Sequence, residues 1–465
     1  MTGFPADLLS GKRYAVLGLG RNGRAAACAL ADMGADVTAW DDNEAGRAHL
    51  KDGHKNVTLV QPDPSAGFDA LILSPGIPHL LPEPHPLAAA FLSAGIPVLS
   101  DAELLFEAVR KSGSKARFAG ITGTNGKSTT TSLLAHTLRT AGIPVAEGGN
   151  LGPAALFLPL LPDTGVYVLE MSSYMLERLQ TLHFDTACLL NMTPDHLDRH
   201  GDMNGYARAK AHIFDRMTPG SLAVCGISDP WTREIAAPLS ARGIRTQYIT
   251  GEDQDADIFC KAATIRDHNG LSVPQPPALP GAHNAENIAA TIAMARFLGI
   301  SDATIAAAVQ SFSGLPHRQK RVAVISGITF IDDSKATNAD AASRALGCYD
   351  RLVWIAGGLA KAGGIEDLIP YFPRIAKALL IGRDAPLLAE TLRAHGVAYD
   401  IAENLDHAVP AAFAAAEKLN APVVLLSPAC ASFDQFSGFE ARGHYFARLV
   451  STLEDQNPLS AGDPG

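Results

Sequence analysis

Short apolar runs that end in glycine alternate along this chain with amphipathic stretches of helical period. Residues 13–20, RYAVLGLG, predict a buried strand running into glycines, and RAAACALADMGA predicts a helix that stops at Gly34. The strand DVTAW then delivers two acids, Asp41 and Asp42, so the chain opens as a βαβ unit. FDALILSPGIP predicts a further strand with a Ser-Pro-Gly turn, and IPVLSDAELLFEAVRK predicts a strand then a helix. A first domain closes near residue 112, and SGSKAR follows as a linker.

A second domain opens with the strand RFAGIT, a glycine loop, and the helix STTTSLLAHTLRTAG, whose Leu133, Leu134 and Leu138 share one face before Gly142. VYVLEM and TACLLNM have the unbroken apolar character of parallel strands covered on both sides. Around GLPHR, at 314–318, the pattern restarts: strands VAVI and TFID, then LVWIAGG, ALLIG and VVLLSPA, alternate with helical segments. The expected domains are 1–112, 113–313 and 314–465, ending in a frayed NPLSAGDPG tail.

Composition narrows the function classes. At roughly 150 residues per domain, 465 residues fit three domains, each able to bury a core. Apolar residues make up 47% and charged residues 18%, which fits a compact α/β enzyme. A net charge of -10 disfavours nucleic-acid binding, which needs a basic face, but leaves anionic small ligands open at helix N-termini. Cysteines 28, 188, 225, 260, 348 and 430 form no metal spacing and read as reduced thiols of a cytoplasmic protein. No apolar run approaches 18 residues, so membrane insertion and secretion are not expected.

Gly18, Gly20 and Gly23 form G-x-G-x-x-G after a strand, enclosing Arg21 and Asn22, with Asp41 as the acid that follows. Such glycines let backbone approach a pyrophosphate at a helix N-terminus, and the acid can accept ribose hydroxyls. A nucleotide sugar, a redox dinucleotide and purely structural glycines all satisfy this pattern. The loop Gly123-Thr124-Asn125-Gly126-Lys127-Ser128, followed by Thr129, sits between a strand and a helix. There successive N–H groups can cradle ATP phosphates, Lys127 can reach the outer ones, and Ser128 can hold Mg2+. The strict P-loop pattern is not met, because its first glycine position is Ile121.

Glu170 ends a strand at the carboxyl edge of a parallel sheet, where such folds bind ligands, and is a candidate Mg2+ ligand or a solvated cap. Ser172 and Ser173 can cap the next helix or meet substrate. His196, in NMTPDHLDRH, reads as a metal ligand or an ordinary loop histidine. Lys210, in YARAKAHIF, reads by itself as a solvated helix lysine.

The motifs GTNGKST, LEMSSYMLE, NMTPDHLDRH, GAHNAEN, GLPHR, DDSKATN and SPACASFDQFSGFEARG occur in family order between residues 123 and 443, within a likeness that spans about residues 13 to 450. The chain thereby resembles the D-glutamate-adding Mur ligases, the UDP-N-acetylmuramoyl-L-alanine:D-glutamate ligases. The resemblance implies an α/β fold of three domains: a Rossmann-like N-terminal domain, a central P-loop ATPase-like domain with a parallel sheet, and a Rossmann-like C-terminal domain. It implies ATP-driven amide formation in peptidoglycan biosynthesis by a cytoplasmic monomer, with ATP and Mg2+, through an acyl phosphate.

By motif position, the resemblance assigns catalysis to Lys127, His196 and Lys210, with Lys210 N-carbamoylated. Ser128, Glu170, His196 and Lys210 would hold Mg2+; Asn287, Arg318 and Asp333 would join residues 123–129 at the nucleotide. Gly18 to Gly23, Asp41, Asp42, Ser74, Pro75 and Gly76 would take the UDP portion of UDP-MurNAc-L-alanine, with Asn150 and Ser172 meeting the muramoyl end. Lys335, Thr337, Lys361, Ser432 and Phe439 would line the D-glutamate pocket. Two positions depart from the family: Gln319-Lys320 follow GLPHR where an aromatic or bulky residue and then Glu are usual, and Leu359-Ala360 precede Lys361 where an acid is usual. The competing readings are another Mur-type or folylpolyglutamate-type ligase and an NAD-dependent oxidoreductase built on the first domain.

Overall fold

The computed structural model describes residues 3–51, 56–361 and 363–456; the predicted tail at 457–465 lies outside the described residues. Three sheets carry the chain. The first holds β1 (Arg13–Leu17), β2 (Asp36–Trp40), β3 (Val57–Leu59), β4 (Ala70–Leu73) and β5 (Val98–Leu99) in the order β3-β2-β1-β4-β5. All its pairings are parallel; α1 (Arg21–Asp32), α2 (Glu44–Lys51) and α3 (Pro86–Ser93) lie in connections between its strands, and α4 (Asp101–Lys111) follows β5 and leads on to the second sheet. The reversal of strand order between β1 and β4 opens a crevice at their carboxyl ends, the side where this architecture receives ligands.

The second sheet contains β6 (Arg117–Thr122), β7 (Val145–Gly149), β8 (Val166–Glu170), β9 (Thr186–Leu189), β10 (Leu222–Gly226), β11 (Arg245–Ile249), β12 (Ile258–Lys261), β13 (Thr264–Asp267) and β14 (Ser272–Pro274). Its order is β14-β13-β12-β11-β10-β9-β6-β8-β7. The strands from β7 to β12 are parallel, but β12, β13 and β14 pair antiparallel and extend the expected parallel sheet at one edge. Helices α5 (Lys127–Thr140), α6 (Ser173–Leu176), α7 (Leu197–His200), α8 (Met203–Ala211), α9 (Pro230–Ala236), α10 (Ala282–Phe297) and α11 (Asp302–Ser311) accompany it. Leu133, Leu134 and Leu138 of α5 are fully buried, as their spacing predicts, and the positive φ of Gly142 follows the helix end.

These two sheets form one compact unit, 1–275 with 284–311, and share one apolar core that runs from Leu9 to Ile244. Buried charge joins them as well. Arg178 donates to the carbonyls of Leu73 (2.7 Å) and Tyr174 (2.7 Å), while Glu103 of α4 accepts the N–H groups of Gln180, Thr181 and Leu182. A carboxylate and a guanidinium are tolerable inside a core only when satisfied in this way.

The second unit, 276–283 with 312–465, holds β15 (Lys320–Ile325), β16 (Ile328–Asp332), β17 (Leu352–Gly357), β18 (Ile375–Ile381), β19 (Tyr399–Glu403) and β20 (Val423–Leu426). The order is β15-β16-β20-β17-β18-β19, parallel except for the β15–β16 hairpin. Helices α12 (Ala339–Leu346), α13 (Ala385–Ala394), α14 (Leu405–Leu419) and α15 (Phe439–Gln456) belong to this unit, whose apolar residues form clusters that include Trp354 and Phe330.

Candidate active site

At the β1–β4 crevice a cavity of about 580 Å³ is lined by Gly18, Gly20, Arg21, Asn22, Asp41, Asp42, Ser74, Pro75, Gly76 and His85, among others. Gly18 takes a φ of +87°, and a Cβ at Gly23 would lie 1.8 Å from the Gly18 carbonyl oxygen, so the turn into α1 requires glycine at both positions. Ser74 Oγ donates to that same carbonyl (2.8 Å). The two acids do different work. Asp41 accepts the Leu19 N–H through Oδ2 (2.6 Å) and the Asn43 N–H through Oδ1 (2.9 Å), so it shapes the glycine loop from behind. Asp42 is held by Trp40 Nε1 (3.0 Å) and His85 Nε2 (2.8 Å), which keep its carboxyl below the usual range, and it remains exposed at the cavity. The sequence pattern alone pointed to Asp41 as the ribose acceptor; its oxygens are already taken by backbone.

The second constellation stands at the carboxyl ends of β6, β8 and β9. Gly126, φ +85°, caps α5, and a Cβ there would meet Asn287 Oδ1 at 2.2 Å. Asn287 itself accepts from Thr130 Oγ1 (3.1 Å) and donates to Asn284, so it supports the loop from below. Asn191 continues this scaffold: its Oδ1 accepts the Asn125 N–H (3.0 Å) and its Nδ2 donates to Glu286, which also accepts from Ser228. Lys127 Nζ donates to the carbonyls of Gly123 (2.9 Å) and Thr124 (2.8 Å), and Ser128 and Thr129 are buried on the first turn of α5.

Lys210 lies on the inner face of α8, 2% exposed, and donates to Gly123 O at 2.8 Å. Burial first, then the Lys127 ammonium, drives its pKa well below the ordinary lysine value. Glu170 is equally buried; Asn150 Nδ2 donates to its Oε1 (2.8 Å), and its Oε2 has no hydrogen-bond partner. His196 sits in a left-handed turn (φ 53°) ahead of α7, its ring near Tyr174 and Tyr206, and its pKa is lowered by burial and by the Lys210 and Lys127 charges, against an opposing pull from Asp195. Ser172 caps α6 through the Met175 N–H (3.3 Å), the cap its position predicted. Arg21 and Asn22 donate to the carbonyls of Asn150 and Gly149, which brings the glycine loop to the end of β7. The structure thus draws Lys127, Glu170, His196 and Lys210 into one field and joins them to the first cavity through Asn150.

In the second unit, the segments carrying Lys335, Thr337, Ser432 and Phe439 converge at the ends of β16, β17 and β20. Buried Arg442 makes that convergence: it donates to Ser334 O (2.9 Å), Ser334 Oγ (2.9 Å) and Cys430 O (3.1 Å). The Lys335 ammonium stands 3.8 Å from the centre of the Phe439 ring, and Thr337 N–H donates to Lys335 O. Leu359 and Ala431 exchange backbone bonds, tying the Gly-Gly-Leu-Ala-Lys loop to the Ser432 segment; Lys361 itself is exposed. Asp333, fully buried, accepts from Ser427 Oγ (2.7 Å) and Gln319 N–H (3.2 Å), and burial pushes its carboxyl up to about 7. Gln319 takes a φ of 45°, lies 3.4 Å from His283 through its amide nitrogen, and leaves Oε1 buried without a partner.

Comparison with known proteins places this arrangement. The Mur ligase middle domain profile matches residues 121–295, and that of the Mur ligase glutamate ligase domain matches 317–430. The UDP-N-acetylmuramoylalanine–D-glutamate ligase of Paramagnetospirillum magneticum is 48% identical over 96% of this chain and 98% of its own length. The enzyme of the same name from Rhodospirillum rubrum is 44% identical over 99% of this chain and 98% of its own length. The chain belongs to the UDP-N-acetylmuramoylalanine–D-glutamate ligase family. Among solved structures, UDP-N-acetylmuramate–alanine ligase from Thermotoga maritima shares the fold at a TM-score of 0.61 and 16% identity, covering 95% of this chain and 99% of that one.

Membership in the D-glutamate ligase family removes the hydride-transfer reading of the glycine fingerprint. It also gives the buried charges a chemical setting. Among the described residues no three His, Cys, Asp or Glu side chains converge on one point. The four residues expected at Mg2+ include only two of those types, Glu170 and His196, so such a site would need Ser128 and a modified Lys210 as further oxygen donors. An unpartnered buried carboxylate oxygen on Glu170 fits a hard cation that prefers oxygen. Reading the motifs singly passed over Asp195, Tyr206, Glu286 and Arg442; each lies in or beside a quoted motif, and burial of the last three, with the charge of Asp195 acting on His196, reveals their work.

Proposed function

We propose that this D-glutamate ligase joins D-glutamate to UDP-MurNAc-L-alanine at the expense of ATP, in the cytoplasm and as a monomer, with residues 1–112 holding the uridine end, 113–313 the ATP and 314–465 the amino acid. One observation carries the reading: a P-loop lysine, a buried lysine and a buried carboxylate with an open oxygen share one strand-end crevice, and Asn150 links it to the glycine-loop cavity.

A carboxylate is a poor electrophile, so the alanine carboxylate must first attack the γ-phosphate of ATP to give an acyl phosphate and ADP. The amine of D-glutamate then attacks that carbonyl, and phosphate leaves from the tetrahedral intermediate. The first step brings anions together, and its demand is electrostatic. Lys127 exchanges its loop carbonyls for phosphate oxygens, and the N–H groups of 123–129 cradle the chain of phosphates. Arg318 and Asp333 complete the nucleotide contacts. Lys335, Thr337, Lys361, Ser432 and Phe439 receive D-glutamate, whose two carboxylates need cations and N–H donors.

Ser128, Glu170, His196 and carbamoylated Lys210 would hold Mg2+, which supplies neutralisation of the phosphate charge when bound. Burial supports the carbamate: it drives the Lys210 pKa down and so favours the neutral amine, the form that adds carbon dioxide, and the product is an anionic oxygen donor. Phosphate release from ATP with UDP-MurNAc-L-alanine, scanning amino acids singly, tests the whole reading. Release with D-glutamate alone is expected; equal release with L-glutamate or diaminopimelate defeats it.

A further inference from the structure

Arg199 stands in α7, three residues after His196, yet its guanidinium leaves that turn for the loop that follows β4. Its Nη1 donates to Gly76 O (3.0 Å) and its Nε to Leu81 O (3.2 Å), while its carbon lies 4.4 Å from the centre of the Tyr174 ring. Tyr174 in turn packs against His196 (5.1 Å) and stacks on His200 (5.5 Å, 18°). His200 is buried and fixed by Ser173 Oγ at 2.9 Å.

The loop so held has His79 buried and Ile77 packed on an apolar cluster, but its tip is open. Leu80 and Leu81 are 56% and 50% exposed, so apolar packing contributes weakly to the placement of that tip. The other end of the loop, Ser74 to Gly76, lines the glycine-loop cavity. A planar fork that reaches two carbonyls five residues apart while lying on an aromatic face is a task for arginine; a lysine ammonium would reach one of them and cannot stack as a plane.

We propose that Arg199 is a positioning residue for the uridine substrate, fastening the 74–81 loop of the first cavity to the turn that carries His196. The inference rests on reading that cavity as the UDP site. It makes one guanidinium responsible for the relative placement of the nucleotide end of the substrate and of the reacting end.

Calorimetric titration of UDP into the full-length protein, without ATP or metal, tests it. Arg199→Ala is expected to weaken UDP binding about tenfold and Arg199→Lys about threefold, whereas Arg208→Ala, an exposed arginine on neighbouring α8, leaves binding unchanged. In turnover assays the KM for UDP-MurNAc-L-alanine should rise in step with those losses while the KM for D-glutamate stays within about twofold. Should Arg199→Ala fail to fold, Arg199→Lys decides alone. UDP affinity equal to wild type in a folded Arg199 variant overturns the tether and leaves the cavity's reading intact. If the unaltered protein binds no UDP, the cavity's reading fails and the tether falls with it.

Discussion

Asn150 commits one oxygen of the buried Glu170 carboxylate, at 2.8 Å, and leaves the other without a donor. An amide at position 170 removes the charge while keeping the shape. Glu170→Gln should therefore lower turnover by at least about 100-fold, the scale of losing one preorganised electrostatic group. Its melting temperature should hold or rise, because an uncompensated buried charge has gone. Phosphate release and thermal melting on the same preparation check both; near-normal turnover would remove Glu170 from the metal site.

Lys210 gives the second prediction. Lys210→Ala should lose most activity and regain part of it with acetate or formate, which can occupy the anionic place of a carbamate. Lys210→Arg places a permanent positive charge on a side chain that cannot be carbamoylated, so it should be inactive and resist rescue. Carbon-13 NMR of protein equilibrated with labelled carbon dioxide should show a carbamate signal that the Lys210→Ala protein lacks. An active Lys210→Arg enzyme would contradict the assignment.

The neighbouring acids of the first crevice should separate in mutagenesis. Asp41→Asn replaces one of two backbone-accepting oxygens with an N–H group, so it should cost about 1–3 kcal/mol of stability as well as UDP affinity. Asp42→Asn, on an exposed side chain, should spare stability and weaken UDP binding alone. Paired melting and UDP titration distinguish them, and the reverse pattern would exchange their roles.

Asp333 predicts a pH dependence with a defined sign. Its carboxyl is pushed up to about 7 in the fold, against about 3.9 in an unfolded chain, so the folded state keeps a proton that the unfolded state releases. The stability of the second unit is therefore undiminished by this group below about pH 4, falls as pH rises through that window, and reaches its full loss above about pH 7. Asp333→Asn should remove that slope, so the variant should melt higher than wild type at pH 8 and lose the advantage towards pH 4. Parallel melting curves across that range would show that Asp333 does not carry the proton.

Much of this was legible because parallel strands covered on both sides announce themselves. VYVLE and LVWIAG are buried at every position, and the glycine loops after β1 and β6 fall where strand meets helix. The β12–β14 edge was not, since three- and four-residue strands such as IFCK and SVP carry too few residues for a period. Lys210 in isolation reads as a surface lysine because its burial comes from α8 docking under the P-loop, a contact 87 residues away in sequence with Gly123. The division of labour between Asp41 and Asp42 was hidden for a related reason: only the three-dimensional turn decides which carboxylate the backbone has already claimed. Arg442 belongs to the same class, a long-range tie whose partners lie 12 and 108 residues away.

The buried ties that Glu103 and Arg178 each make to main-chain groups across the seam bear on how this chain could be divided. A cut at residue 112 would strand the carboxylate of α4 on one fragment and the N–H groups of Gln180, Thr181 and Leu182 on the other, and would separate Arg178 from Leu73 O. Each piece would also present to water its half of the shared core from Leu9 to Ile244. Fragments 1–112 and 113–313 should accordingly be insoluble when made alone and recover when made together, which turns the seam into a ready-made protein-complementation pair: a split enzyme whose halves report their own encounter.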